Sequence, residues 1–187
     1  MRTKIEFFKE AVKTYKTSGT LIPSSRFLAA RMLKTINFKS AHVIVELGPG
    51  NGAITRHILK NLHPNARLIC FEINENFHEE LQRISHPQLT VLKSSAEHIC
   101  EELDKLMISK ACHIISSLPL SIIPNEITKA ILENSFKALE SNGDFIQYQY
   151  SLSYFKKLKA VFHADISLEF EPLNFPPAFV YRCKKLA

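Results

Sequence analysis

The run Val43-Ile44-Val45-Glu46-Leu47-Gly48-Pro49-Gly50-Asn51-Gly52 constrains this chain more than any other segment of its length. A short apolar stretch ends in an acid and a glycine-packed turn, and a helix-like segment, Ala53 to Lys60, follows at once. The chain holds only 5 glycines, and the other two are Gly19 and Gly143. Three glycines so close together mark a bend through dihedrals that side-chain-bearing residues avoid, or a close approach to bare main chain. A buried strand feeding a helix through such a bend is the repeating unit of a parallel α/β sheet.

The rest of the chain keeps that rhythm. Strands are predicted at His42–Leu47, Arg67–Glu72, Leu89–Lys93, Cys112–Ser116 and Asp144–Tyr150. Helices are predicted at Ala53–Leu62, Glu75–Ile84, Glu97–Met107 and Asn125–Glu140, the last stopped by Ser141-Asn142-Gly143. Alternation of this kind argues for a parallel sheet with helices on both faces. Ile166–Phe170 and Ala178–Cys183 read as two further strands joined by Pro172–Pro177, too close for a helical crossover and so antiparallel. Upstream, Ile5, Phe8, Val12 and Tyr15 recur at helical spacing over Arg2–Lys16, with Arg2, Lys4, Lys9, Lys13 and Lys16 around the stripe. Thr17-Ser18-Gly19-Thr20 breaks that helix, and Ser24 is the expected N-cap of a second one over Ser25–Ile36. No linker or repeat divides the 187 residues, so we expect one domain: a helical lead-in over 1–36 and an α/β core over 42–187.

Composition narrows the partners. An excess of 24 basic over 18 acidic side chains, +6 formally, favours anionic surfaces, nucleic acid and acidic lipid alike. No signal-like apolar segment follows Met1-Arg2-Thr3-Lys4. The longest uncharged stretch, Ala111 to Asn125, is about 15 residues with two prolines, short of the roughly 20 apolar residues a span requires. Cys70, Cys100, Cys112 and Cys183 show no metal-ligand or redox spacing and are read as reduced thiols, with no metal expected. These features together predict a cytoplasmic chain whose membrane contact, if any, is peripheral.

Glu72 closes the second predicted strand about two dozen residues after Gly48, where an acid accepts from both hydroxyls of a ribose. Ile73 is placed for an adenine face, and Ser95 with Ala96, after the third strand, for its edge. The turn is GxGxG, preceded by Glu46, and not the GxGxxG of nicotinamide-binding proteins. E-L-G-P-G-N-G with the later Glu72 resembles the class I methyltransferases that use S-adenosylmethionine. That resemblance implies a Rossmann-like, mostly parallel seven-stranded sheet with an antiparallel C-terminal hairpin and N-terminal helices over the cofactor site. It also implies cofactor contacts from Glu46, Gly48, Pro49, Gly50, Asn51, Gly52, Glu72, Ile73, Ser95 and Ala96, with Ser24 and Ser25 near the methionine carboxylate.

After the fourth strand comes Ser116-Ser117-Leu118-Pro119-Leu120. In adenine methyltransferases of RNA and DNA this loop carries Asn or Asp, then Pro-Pro or Leu-Pro, then an aromatic that stacks on the base. The chain keeps the frame of a ribosomal RNA adenine dimethylase, but Ser117 stands for the amide and Leu120 for the aromatic, which disfavours a nucleobase. More of the chain resembles the small bacterial phospholipid N-methyltransferases that act on phosphatidylethanolamine, and their ornithine-lipid relatives. The matching segments are Thr17-Ser18-Gly19-Thr20-Leu21-Ile22-Pro23-Ser24-Ser25-Arg26, the glycine turn, Phe71-Glu72-Ile73-Asn74, Ser117-Leu118-Pro119-Leu120 with Pro124, Gly143–Tyr148, and Pro176-Pro177-Ala178-Phe179-Val180-Tyr181. Asn51 and Gln149 depart from the pattern.

The resemblance implies transfer of methyl groups to an aminolipid headgroup at the inner face of a membrane, with nucleic acid not expected. Tyr148, Ser117, Leu118 and Pro119 are then the catalytic candidates, and Tyr15, Tyr148, Tyr150 and Arg26 the substrate contacts. Aromatic faces suit the methylated cations such a reaction produces. Tyr148 and Tyr150 share one side of a regular strand, while His113, inside a strand, reads as structural. The basic first helix is read either as a lid over the sheet or as a dock on anionic lipid. An RNA or small-molecule methyltransferase of the same fold, and a binding module without activity, stay open as alternatives.

Overall fold

The computed structural model describes residues 25–163 and 166–186. Seven strands form one sheet in the order β3-β2-β1-β4-β5-β7-β6, with β1 Val43–Leu47, β2 Arg67–Phe71, β3 Leu89–Leu92, β4 Ala111–Ser116, β5 Leu139–Gln149, β6 Ile166–Glu171 and β7 Ala178–Lys184. β1 to β5 run parallel, and β7 pairs antiparallel with both β5 and β6. The Rossmann-like arrangement expected from the sequence is therefore present, hairpin included.

Helices α1 Arg26–Leu33 and α2 Ala53–Asn61 cover one face. Helices α4 Ile99–Lys105, α5 Asn125–Ala138 and α6 Phe155–Phe162 cover the other, and α3 Glu75–Gln82 links β2 to β3. The strand order reverses at β1, so right-handed crossovers carry the intervening helices first to one face and then to the other. Two apolar clusters result. Ile44, Leu68 and Ile146 pack with Leu28, Met32, Ile54 and Ile58 on the first face. Val45, Ile114 and Phe145 pack with Ile99, Leu103, Ile131, Leu158 and Phe162 on the second. β1 is buried on both faces, which explains a sequence that is apolar except for the buried Glu46.

Several boundaries differ from the sequence reading. Ser25, not Ser24, is the N-cap of α1: its Oγ accepts from the Leu28 amide at 3.1 Å. Helix α5 stops at Ala138 instead of continuing to Glu140, because β5 starts at Leu139, five residues before the expected Asp144, and pairs Leu139 with Ala111. Ser141-Asn142-Gly143 is thus an irregularity inside the strand, with Asn142 at φ 65 and its amide donating to the Lys185 carbonyl. A side chain at Gly143 would meet the Cys112 carbonyl at 2.8 Å, so backbone proximity there requires glycine. The helix expected over Glu97–Met107 is a 3₁₀ turn, Ala96–His98, followed by α4. Helix α6 was not anticipated. Its apolar stripe, Phe155, Leu158 and Phe162, has helical spacing, but three lysines among eight residues hide it. All four cysteines are free. No helix among the described residues is long and apolar enough to cross a membrane.

Candidate functional site

The carboxyl ends of β1, β2 and β4 lie side by side, and the chain reverses its winding between β1 and β4. In open α/β sheets that switch point opens a crevice for a ligand. Main-chain bonds hold the first residues beyond these strands in line. The Gly48 amide donates to the Phe71 carbonyl (3.0 Å), the Ser117 amide to Leu47 (2.9 Å) and the Glu72 amide to Leu92 (3.0 Å).

Gly48, Gly50 and Gly52 all have positive φ, at 68°, 57° and 77°. A β-carbon on Gly48 would come within 2.7 Å of Leu118 Cδ2, so the glycine turn and the loop after β4 are packed against each other. Asn51 supplies what a glycine cap cannot. Its side-chain oxygen accepts from the Ala53 amide (3.2 Å) at the start of α2, and its carbonyl accepts from Arg56 (2.7 Å). This departure from the family pattern therefore bonds the first turn of α2 from just outside its Gly52 cap.

Glu72 is buried and ties the edge together: one carboxylate oxygen accepts from the Gly50 amide (3.0 Å) and the other from the Asn74 amide (2.9 Å). Ile73 is partly buried against the second-face core. Ser95 and Ala96 follow β3, and the Ser95 hydroxyl is buried without a hydrogen-bond partner among the described residues. Glu46 sits beneath the turn on the α2 side. Its Oε2 accepts from the Thr55 hydroxyl (2.7 Å) and the Cys70 thiol (3.5 Å), and its Oε1 is buried with no partner among the described residues. Burial pushes its pKa up to about 7, against the lowering effect of the Thr55 and Cys70 hydrogen bonds. The Cys70 thiol is pushed up in turn, first by burial and then by the neighbouring Glu46.

A second cleft opens beside the first, between β4 and β5. Ser117, Leu118, Pro119 and Ser121 line one side, Tyr148, Gln149 and Tyr150 the other. The Tyr148 and Tyr150 rings meet edge to face with centroids 5.7 Å apart, on the side of the sheet covered by α1. Gln149 has no part in that pair. Its amide points across the strand and donates to the Leu118 carbonyl (3.2 Å), where Gln147 also donates (3.1 Å). Two buried amides thus hold one loop carbonyl, a feature the sequence reading missed although its signal, Gln147-Tyr148-Gln149-Tyr150, is plain alternation. Leu120 is fully buried and its carbonyl accepts the Tyr154 hydroxyl. The Ser117 hydroxyl is buried with no partner among the described residues.

The structure therefore gathers Glu46, the glycine turn, Glu72, Ser95, Ala96, Ser117, Leu118, Pro119, Tyr148 and Tyr150 along one edge of the sheet. Arg26 stands apart from the lining of the tyrosine cleft: it is exposed, with its guanidinium 4.9 Å over the Phe27 ring. Ser25 has its hydroxyl engaged in capping α1. Tyr15 and Ser24 lie outside the described residues. His113 lies with Nδ1 at 3.5 Å from Asp144. Burial would raise the Asp144 pKa, but the adjacent His113 and the charge of Lys184 together bring it below its ordinary value.

Residues 16–155 match the family model described as ribosomal RNA adenine dimethylase. The chain belongs to the ribosomal RNA adenine dimethylase family. It is 28% identical over 181 residues to an ornithine lipid N-methyltransferase of Singulisphaera acidiphila, covering 96% of this chain and 92% of that one. It is also 28% identical over 137 residues to a ribosomal RNA small subunit methyltransferase A of Thermotoga petrophila, covering 73% of this chain and 50% of that protein. Among solved structures, a precorrin-6y C5,15-methyltransferase of Geobacter metallireducens superposes with a TM-score of 0.69 at 16% identity, covering 89% of this chain and 93% of that one. An rRNA methylase of Streptococcus thermophilus does so at 0.62 and 18%, covering 85% and 94%. This family member is an S-adenosylmethionine-dependent methyltransferase. Its crevice fits that cofactor: bare main chain at the turn, a buried acid beyond β2, and buried polar atoms at Glu46, Ser95 and Ser117 still wanting a partner among the described residues.

Proposed function

We propose that this methyltransferase acts on the amine of a membrane aminolipid, phosphatidylethanolamine or an ornithine lipid. The observation that carries the reading is the cleft at Ser117–Pro119. Where a base-methylating enzyme needs an aromatic, Leu120 is fully buried and turned into the core, and the open wall is instead the Tyr148–Tyr150 pair. The ornithine lipid relative supports it by matching along nearly the whole of both chains.

In this reading Glu72 holds the ribose, Gly48, Pro49, Gly50, Asn51 and Gly52 floor the nucleoside, and Ile73, Ser95 and Ala96 border the adenine. Glu46 lies under the charged amino-acid end, where Ser25, with Ser24 before it, completes the contact. S-adenosylmethionine supplies a methyl group already activated on a sulfonium. The chain's own task is to hold an uncharged amine in line and to keep water away. Ser117, Leu118 and Pro119 form the ledge for that amine, and the two glutamine bonds on the Leu118 carbonyl keep the ledge rigid. The tyrosine faces receive the cationic headgroup, each worth about 0.5–2 kcal/mol when desolvated. Arg26 contacts the lipid outside this ledge, Tyr15 is the remaining headgroup contact in this reading, and the protein works peripherally on the cytoplasmic face of the membrane.

The test is incubation with labelled methyl donor, in parallel, with phosphatidylethanolamine vesicles, ornithine lipid vesicles and ribosomal RNA. Label is expected in lipid; label in RNA alone overturns the proposal. Glu72→Ala removes the acid that holds the ribose in this reading, at about 1.5–3 kcal/mol for a hydrogen bond to a charged group, and should weaken cofactor binding roughly tenfold to hundredfold by calorimetry.

A further inference from the structure

The large apolar side chains exposed among the described residues are unevenly placed. Met107 precedes β4 and Leu186 follows β7, so both lie at the amino edge of the sheet. The others gather towards the opposite edge, where the glycine turn and the tyrosine cleft open. β7 begins beside the end of β5, so the β6–β7 turn projects from that edge. At its tip Leu173 is 63% exposed and Phe175 73%. Phe170 and Leu168 continue the apolar strip down β6, an edge strand. Leu152 follows β5 directly, and Phe27 is brought alongside because the Ser25 amide donates to Asn174 Oδ1 in the turn (3.1 Å).

Charge accompanies the strip. Arg26 is exposed at the start of α1, and Lys156, Lys157 and Lys159 are exposed along α6. The two acids of the hairpin are already matched: Arg31 bonds Glu169 (3.1 Å) and Glu171 (2.9 Å). An apolar tip flanked by cations, with its own acids neutralised, is complementary to an anionic bilayer, whose headgroups attract the cations and whose acyl boundary takes the tip.

We infer that the β6–β7 turn, with Leu173 and Phe175 at its apex, is a membrane-inserting element that sets the mouth of the active site against an anionic lipid surface. The inference rests on the aminolipid reading above and names the surface through which that substrate is reached. An amine at the headgroup level then lies beside the tyrosine cleft without the lipid leaving the bilayer.

The chain contains no tryptophan, so Phe175→Trp places a single fluorescent reporter at the apex. Mixed with vesicles of equal parts phosphatidylglycerol and phosphatidylethanolamine, the emission of that indole should shift to the blue and be quenched by bromine on the acyl chains. An unchanged spectrum with vesicles that nevertheless co-sediment the protein overturns the inference, because another face is then docked. A spectral change with RNA and none with vesicles overturns it too. The double variant Leu173→Asp, Phe175→Asp should lose vesicle binding by about tenfold or more for each buried anchor. It should keep the calorimetric heat of S-adenosylmethionine binding, which shows that it folds, and should keep transfer to a short-chain, monomeric aminolipid. Undiminished vesicle binding by that variant refutes the role of the tip. Insertion of the indole without methylation of any lipid leaves the surface standing and removes the aminolipid substrate; methylated lipid with the indole still in water does the reverse.

Discussion

Glu46→Gln offers the sharpest test of the buried edge. Glu46 is fully buried, and folding raises its pKa from an ordinary 4.5 to about 7. Between those two values the folded chain keeps a proton that the unfolded chain has lost. Stability associated with this group is therefore fully present below the unfolded value and is lost as pH rises through the folded one. A tenfold change in proton affinity corresponds to about 1.4 kcal/mol, so between about pH 5 and about pH 8 the wild-type chain loses about 2–3 kcal/mol through Glu46. Glutamine keeps an acceptor for Thr55 but does not titrate. It also leaves an amide where Oε1 has no partner among the described residues, a fixed cost that does not depend on pH. The difference in unfolding free energy between variant and wild type should therefore grow in the variant's favour by about 2–3 kcal/mol across that range, or about 4–12 °C in Tm for a chain of this size. Denaturant titrations of both proteins at the two pH values measure it. A difference that stays constant with pH would show that Glu46 does not carry a raised pKa, and the buried-acid account of this edge would fall.

Gly48→Ala puts a side chain at φ 68 and a β-carbon 2.7 Å from Leu118, and should destabilise the protein by about 1–3 kcal/mol and weaken cofactor binding. Adding Leu118→Ala should relieve the contact but not the backbone strain, so only part of the loss returns in a denaturant titration. Gln147→Leu with Gln149→Leu leaves the Leu118 carbonyl without its two donors, at about 1–3 kcal/mol, and should lower the methyl-transfer rate while the calorimetric affinity for S-adenosylmethionine stays within about twofold. Asn174→Ala frees the β6–β7 turn from the start of α1 and should increase protease cleavage at that turn without changing cofactor affinity.

The alternation of strands and helices and the glycine turn were legible because periodic burial and the scarcity of glycine are local signals. β1 reads as apolar residues broken by Glu46 alone since both its faces are covered, and Glu72 announces itself by following an apolar strand. What pairing decides was not legible. Whether Leu139 and Glu140 are helix or strand depends on Ala111 of another strand, and Ser25 takes the cap from Ser24 only because of where the Leu28 amide falls. Helix α6 was concealed for a related reason. Its aliphatic and aromatic contacts make sense only against Phe136, Phe145 and Tyr181, which lie outside any window that contains the helix.

The sequence alone thus determined the scaffold, the donor and the edge of the sheet where chemistry takes place, since each rests on short-range pattern. The tertiary structure decided what that edge presents. It turned Gln149 away from the tyrosines onto Leu118, set Asn51 against the first turn of α2, left Glu46 half-satisfied in the interior and tied the start of α1 to the β6–β7 turn. Direction and proximity of side chains are fixed by strand register and by contacts across the fold, and no stretch of neighbouring residues contains them.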